Sequence, residues 1–146
     1  MKPYPHTYSV SASASAIGVV TVVSPGLPAI ETAPPPEFDG PGGVWSPETL
    51  LVAAIADCFI LTFRGVSRAA HFDWISLEAH VDGTLERDAG VTQFVRYTTR
   101  ALLTVPPNTE HAKARELLER AEKVCLVANS LRGTRALEVQ VRETAA

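Results

Sequence analysis

An α+β fold is what this sequence predicts, and three observations predict it. Alternating and β-branched residues fill positions 4–23, and a nearly continuous apolar stretch runs over 50–63. Two longer segments of strand character follow at 74–85 and 92–105. Strands, one long apolar helix, a hairpin, a second helix and a last strand are the order of an α+β domain.

Tyr8, Val10, Ala12 and Ala14 alternate with serines, which is the period of a strand. Residues 17–23 are strongly β-branched and predict a second strand, with a hairpin turn near Ser15-Ala16 or Gly18. Ser24-Pro25-Gly26 ends it, and residues 27–32 predict a short third strand. From Pro34 to Gly43 the chain is a Pro/Gly connector that is neither helix nor central strand, and it is too short for a domain linker. Ser46-Pro47-Glu48 is a helix start: serine as N-cap, proline at the first helical position, then an acid in the first turn. The helix is expected to continue to about Ala70, apolar on nearly every side and therefore buried all round. A polar turn at 87–90 joins the next two strands, and Pro106-Pro107-Asn108 breaks the second. Asn108 or Thr109 is expected to cap a helix carrying Ala112, Leu117, Leu118 and Ala121; Gly133 ends a short segment after Cys125, and residues 136–142 form a last strand.

The 146 residues predict one domain, 1–146, with the ordinary globular balance of 46% hydrophobic and 20% charged residues. A net charge of −3 gives no electrostatic reason to expect nucleic acid or an anionic membrane as partner. The charge is uneven: positions 1–60 hold one lysine and five acids, and the rest hold twelve Lys/Arg against eleven acids. No apolar leader follows Met1, and the 50–63 run contains Asp57 and is shorter than a bilayer span. A cytoplasmic protein with reduced or cycling thiols is the expectation.

Cys58 and Cys125 are the two cysteines. On a helix, Leu51, Ala54, Ile55, Leu61 and Thr62 share the face of Cys58 or flank it. It lies roughly 15 Å from the helix start, beyond the reach of the helix dipole. Cys125 precedes Ala128-Asn129-Ser130, small and polar positions suited to a tight site. Whether the two thiols meet is a matter for the fold, since they are far apart in the chain. His6, His71, His80 and His111 show no paired spacing, so no metal site is expected, and Gly40-Pro41-Gly42-Gly43 lacks the lysine of a phosphate loop.

Two local sequences carry a family resemblance. The first is Gly42-Gly43-Val44-Trp45-Ser46-Pro47-Glu48, continued by Leu50-Leu51 to Cys58; the second is Ala121-Glu122, Cys125, Val127 and Asn129-Ser130-Leu131. Together they resemble the OsmC/Ohr family of thiol-dependent hydroperoxide reductases, from about Phe38 to the C-terminus. That resemblance implies an intertwined homodimer in which antiparallel sheets wrap a long buried central helix. It implies that Cys58 is peroxidatic, Cys125 resolving, and Glu48 the acid that orients a catalytic arginine. It also implies a small-molecule hydroperoxide as substrate and an external dithiol as reductant, with no resident cofactor. In the family the arginine precedes the central helix. Here that segment has only Lys2 and His6, and Arg64, Arg96, Arg100, Lys123 and Arg132 stay open as its replacement.

The expected function is two-cysteine reduction of organic hydroperoxides in oxidative stress defence. The apolar flank of Cys58 favours an alkyl or lipid hydroperoxide over hydrogen peroxide. The alternative is a protein of the same fold without efficient peroxidase activity, binding an apolar small molecule or acting as a redox sensor.

Overall fold

The computed structural model describes residues 1–145. The chain divides after Leu51 into two compact units. In the first, β1 (Ser11–Ser13), β2 (Val20–Val23) and β3 (Ile30–Thr32) form an antiparallel sheet in that order. The serine-alternating segment pairs over only three residues, because its small side chains bury nothing: every residue from 1 to 19 is exposed. The proline run enters a single 3-10 turn, Pro36–Phe38, closed by Asp39 at φ +57°. Gly40 follows where a Cβ would fall 1.6 Å from the Pro34 carbonyl oxygen, so no other residue fits that crossing.

Helix α1 (Pro47–Ala69) starts where the sequence predicts. The Ser46 hydroxyl accepts from the Thr49 N–H at 3.1 Å, and the Thr49 hydroxyl accepts from the Ser46 N–H at 2.9 Å. This is a reciprocal capping box with threonine in the place usually held by Glu or Gln.

The second unit holds α1 from Val52 onward together with β4 (Ser76–Asp88), β5 (Val91–Val105), α2 (His111–Val124), α3 (Leu126–Asn129) and β6 (Thr134–Glu143). β4 and β5 form a hairpin whose turn is Ala89-Gly90, both at positive φ, as a two-residue primed turn requires. The pairing slips once: Thr84 faces Arg96 and Leu85 faces Phe94, which leaves Val95 as a bulge on β5.

β6 runs parallel to β5, from Arg96 opposite Thr134 to Val105 opposite Glu143. The expectation of antiparallel sheets therefore holds for β1–β3 and for the hairpin but not for this edge. The two helices between β5 and β6 form a crossover, which returns the chain in the same direction.

Two further expectations change. The cap of α2 is Glu110, with no side-chain capping bond; Asn108 is used in the turn at φ +63°, and Thr109 turns its hydroxyl back onto the Pro106 carbonyl at 2.7 Å. Burial of α1 is one-sided within the chain. Ile55, Phe59, Phe63 and Ser67 form one buried stripe four residues apart, while Leu61 is 52% exposed. Among the described residues α1 is the one helix long and apolar enough, by length and composition, to cross a membrane, a test that core helices also pass.

The buried stripe of α1 packs in a core with Leu77 of β4, Leu103 and Val105 of β5, and Leu117 and Leu118 of α2. Phe63 meets Trp74 edge to face at 5.3 Å and 73°, and the Trp74 indole N–H donates to the Ser67 hydroxyl at 3.0 Å. Ser67 thus sits in the core with its hydrogen bonding met, since its own hydroxyl donates to the Arg64 carbonyl.

Candidate redox site

A second, smaller cluster in the same unit holds both thiols. Ile55 of α1, Tyr97 of β5, and Cys125 and Ala128 at the α2–α3 junction are buried together, with Cys58, Val81, Phe94, Val127 and Leu131 packed against them. Cys58 is partly exposed and Cys125 is 1% exposed; both are free thiols. Cys58 packs against the buried cluster that holds Cys125.

Each thiol is placed by its element. Cys58 lies three residues after the buried Ile55 and one before the buried Phe59, on the flank of the α1 stripe, with its sulfur 3.8 Å from the Thr62 hydroxyl. Cys125 is the single extended residue (φ −63°, ψ 108°) between α2 and α3, and it is the N-cap of α3. Burial pushes its thiol above the ordinary value, and the neighbouring Cys58 pushes in the same direction. The Ala128 and Val127 amides face the sulfur and act the other way, without closing a capping hydrogen bond. Tyr97 stacks on Phe94 at 5.6 Å, and burial raises its phenol as well.

Beside Cys125 is a cavity of about 10 Å³, room for one water at most. Tyr97, Thr99, Glu122 and Arg135 line it with the cysteine. Arg135 was not among the cations singled out from the sequence, and no local signal marks it. It reaches the site only because β6 pairs parallel with β5. Arg100, one of the five left open from the sequence, is engaged instead by Asp82 and Glu138 on the sheet.

Glu48 belongs to the first unit. It is a first-turn acid of α1, ten positions before Cys58, and it lines an apolar cavity of about 240 Å³ with Val20, Ala33, Pro35 and Phe38. Its Oε2 is buried without a hydrogen-bond partner. Among the described residues no three His, Cys, Asp or Glu side chains gather in a way that would hold a metal ion.

Comparison with known proteins covers both units. The family model described as OsmC-like protein matches residues 40–141. An uncharacterised protein of Bacillus subtilis (strain 168), YmaD, is 24% identical over 109 residues, 73% of each chain. The crystal structure of an organic hydroperoxide resistance protein OsmC from Legionella pneumophila superposes with a TM-score of 0.75 at 24% identity, over 95% of this chain and 98% of that one. An organic hydroperoxide resistance protein from Elizabethkingia anophelis, with thiocyanate bound, gives 0.78 at 20% identity over 98% and 100%. These structures share the fold, and the family model spans well over half the sequence, the Cys58 and Cys125 segments included. The chain belongs to the OsmC-like protein family.

Proposed function

We propose that the protein is a thiol-dependent reductase of organic hydroperoxides that works as a homodimer, with Cys58 peroxidatic and Cys125 resolving. The observation that supports this reading is that the only two cysteines, 67 positions apart in the chain, meet at one cluster, Cys125 buried in it and Cys58 packed against it. Cys58 is the more exposed of the two, which suits the thiol that must meet the substrate. Its sulfur takes the terminal oxygen of ROOH and becomes a sulfenic acid, releasing the alcohol ROH. The Cys125 sulfur then attacks the Cys58 sulfur, a disulfide forms and water leaves. An external dithiol reduces the disulfide by two exchange steps and departs as its own disulfide. The apolar neighbours of the pair, Ile55, Val81, Phe94 and Leu131, favour an organic tail on the peroxide.

The homodimer follows from α1, whose exposed Leu61 and half-buried flanks leave apolar surface that a second copy would cover. A role for Glu48 through a cation is part of the same proposal, although the first unit holds no arginine and only Lys2 and His6 as basic residues. That same gap supports the alternative, a protein of this fold that binds an apolar small molecule. The cavity at Glu48 is of a size to hold one.

Mass spectrometry after one equivalent of cumene hydroperoxide separates the two readings. The wild type is expected to form the Cys58–Cys125 disulfide, and Cys125→Ser to trap Cys58 as sulfenic or sulfinic acid. If both proteins stay reduced, the peroxidase reading fails and the binding reading stands.

A further inference from the structure

Arg135, the second residue of β6, reaches two anchors that flank Cys125 along the chain. Its Nε stands 3.0 Å from Glu122 Oε1 on α2, three residues before the cysteine. Its Nη1 donates to Asn129 Oδ1 at 2.9 Å on α3, four residues after it. Asn129 donates in turn from Nδ2 to the Lys123 carbonyl at 3.2 Å, so the break in the helix is bridged a second time. The ion pair is mostly covered, with Arg135 26% and Glu122 21% exposed. Both side chains also line the small cavity at the Cys125 sulfur, together with Tyr97 and Thr99.

We propose that Arg135 is a positioning residue for the redox step at Cys125: through Glu122 and Asn129 it fixes the α2–α3 break so that the sulfur faces Cys58, and its pairing with Glu122 sets the charge against which that thiol ionises. The proposal rests on the peroxidase reading for its substrate but on geometry for its mechanism. The backbone of Cys125 is tied to both helices, its N–H donating to the Glu122 carbonyl at 3.3 Å and its carbonyl accepting from the Asn129 N–H at 2.9 Å. Arg135 adds a side-chain tie between the same two residues from the neighbouring strand, and its planar fork is what lets one side chain reach both acceptors. Cys58 from α1 acts on the thiol, and Tyr97 from β5, Glu122 from α2 and Arg135 from β6 line the cavity beside Cys125. The last two cancel as a pair. Removing the cation leaves a lone carboxylate beside the sulfur and disfavours the thiolate, whereas neutralising the carboxylate leaves a lone cation and favours it.

The test compares wild type, Arg135→Gln and Glu122→Gln between pH 6 and 10. Each reduced protein is mixed with one equivalent of cumene hydroperoxide and quenched with an alkylating agent, and disulfide closure is followed by mass spectrometry. The midpoint of closure is expected to rise in Arg135→Gln and fall in Glu122→Gln. A rise of about one pH unit slows closure at pH 7 by roughly three- to fourfold, because the more basic thiolate regains part of what it loses in population. Arg135→Lys keeps the charge but reaches only one anchor, so it should keep the wild-type midpoint with a lower plateau rate. A purely structural role would slow the variants without moving their midpoints in opposite directions, and that result, or three identical profiles, overturns the proposal. If Arg135→Gln does not fold, Glu122→Gln against wild type decides, since glutamine keeps a hydrogen bond to the guanidinium. Should cumene hydroperoxide leave wild-type Cys58 untouched, the peroxidase reading falls alone. The same midpoints are then read with diamide, whose N=N bond takes two electrons and two protons from the dithiol and becomes a hydrazine.

Discussion

The pH dependence of disulfide closure is the most direct consequence of where Cys125 sits. Burial and the adjacent Cys58 hold its thiol above the ordinary value of 9.0. A thiol titrating at that ordinary value is only about 1% thiolate at pH 7, and one held above it is less ionised still. A more basic thiolate is a better nucleophile, but with a Brønsted slope of about 0.4–0.5 it regains less than half of what each added unit costs in population. The population effect wins. Closure of the sulfenic acid by Cys125 should therefore speed up severalfold with each pH unit from pH 7 to 9 and should still be rising at pH 9. The assay is rapid-quench alkylation after one equivalent of cumene hydroperoxide, with sulfenic acid and disulfide counted separately, so that the first oxidation does not mask the second. A closure rate that is flat from pH 6 to 9 would mean that Cys125 is already ionised or is not the attacking thiol, and the account of its burial would be refuted.

Two further outcomes test the frame around the site. Phe63→Ala removes a fully buried ring at the centre of the larger core and its edge contact with Trp74, and should cost about 3–5 kcal/mol in denaturant unfolding; a loss below about 1.5 kcal/mol would mean that the core relaxes around the gap. Sedimentation at micromolar concentration should find a dimer, because α1 keeps apolar surface exposed in one copy, and a monomer that unfolds cooperatively would remove the homodimer from the proposal.

What the sequence made legible follows the range of the interaction that encodes it. The start of α1 is written in Ser46-Pro47 and is realised by the Ser46–Thr49 box, a contact over three residues. The β4–β5 hairpin is written in Ala89-Gly90 and its flanking alternation. Both rest on local backbone chemistry. Within one copy the burial of α1 is one-sided, because composition reports which side chains prefer cover and cannot report how much of that cover one chain supplies. The single stripe at Ile55, Phe59 and Phe63 is set by how far β4, β5 and α2 extend over the helix.

The candidate site was half legible for the same reason. Cys58 and Cys125 stand out by residue type and by their flanking sequences, whereas Arg135 looks like any charged residue near a strand start. Its place depends on β6 lying parallel to β5, a pairing across 38 positions from Arg96 to Thr134 that no local pattern specifies. One close approach does constrain it. Gly133 precedes β6 at φ +105°, where a Cβ would stand 3.0 Å from the backbone of Val95, the bulged residue of β5. Only glycine lets β6 begin there, and beginning there is what puts Arg135 two residues later between Glu122 and Asn129. The bulge, the glycine and the clamp are thus one construction, which makes the charge beside Cys125 a property of sheet register more than of any motif around the cysteine.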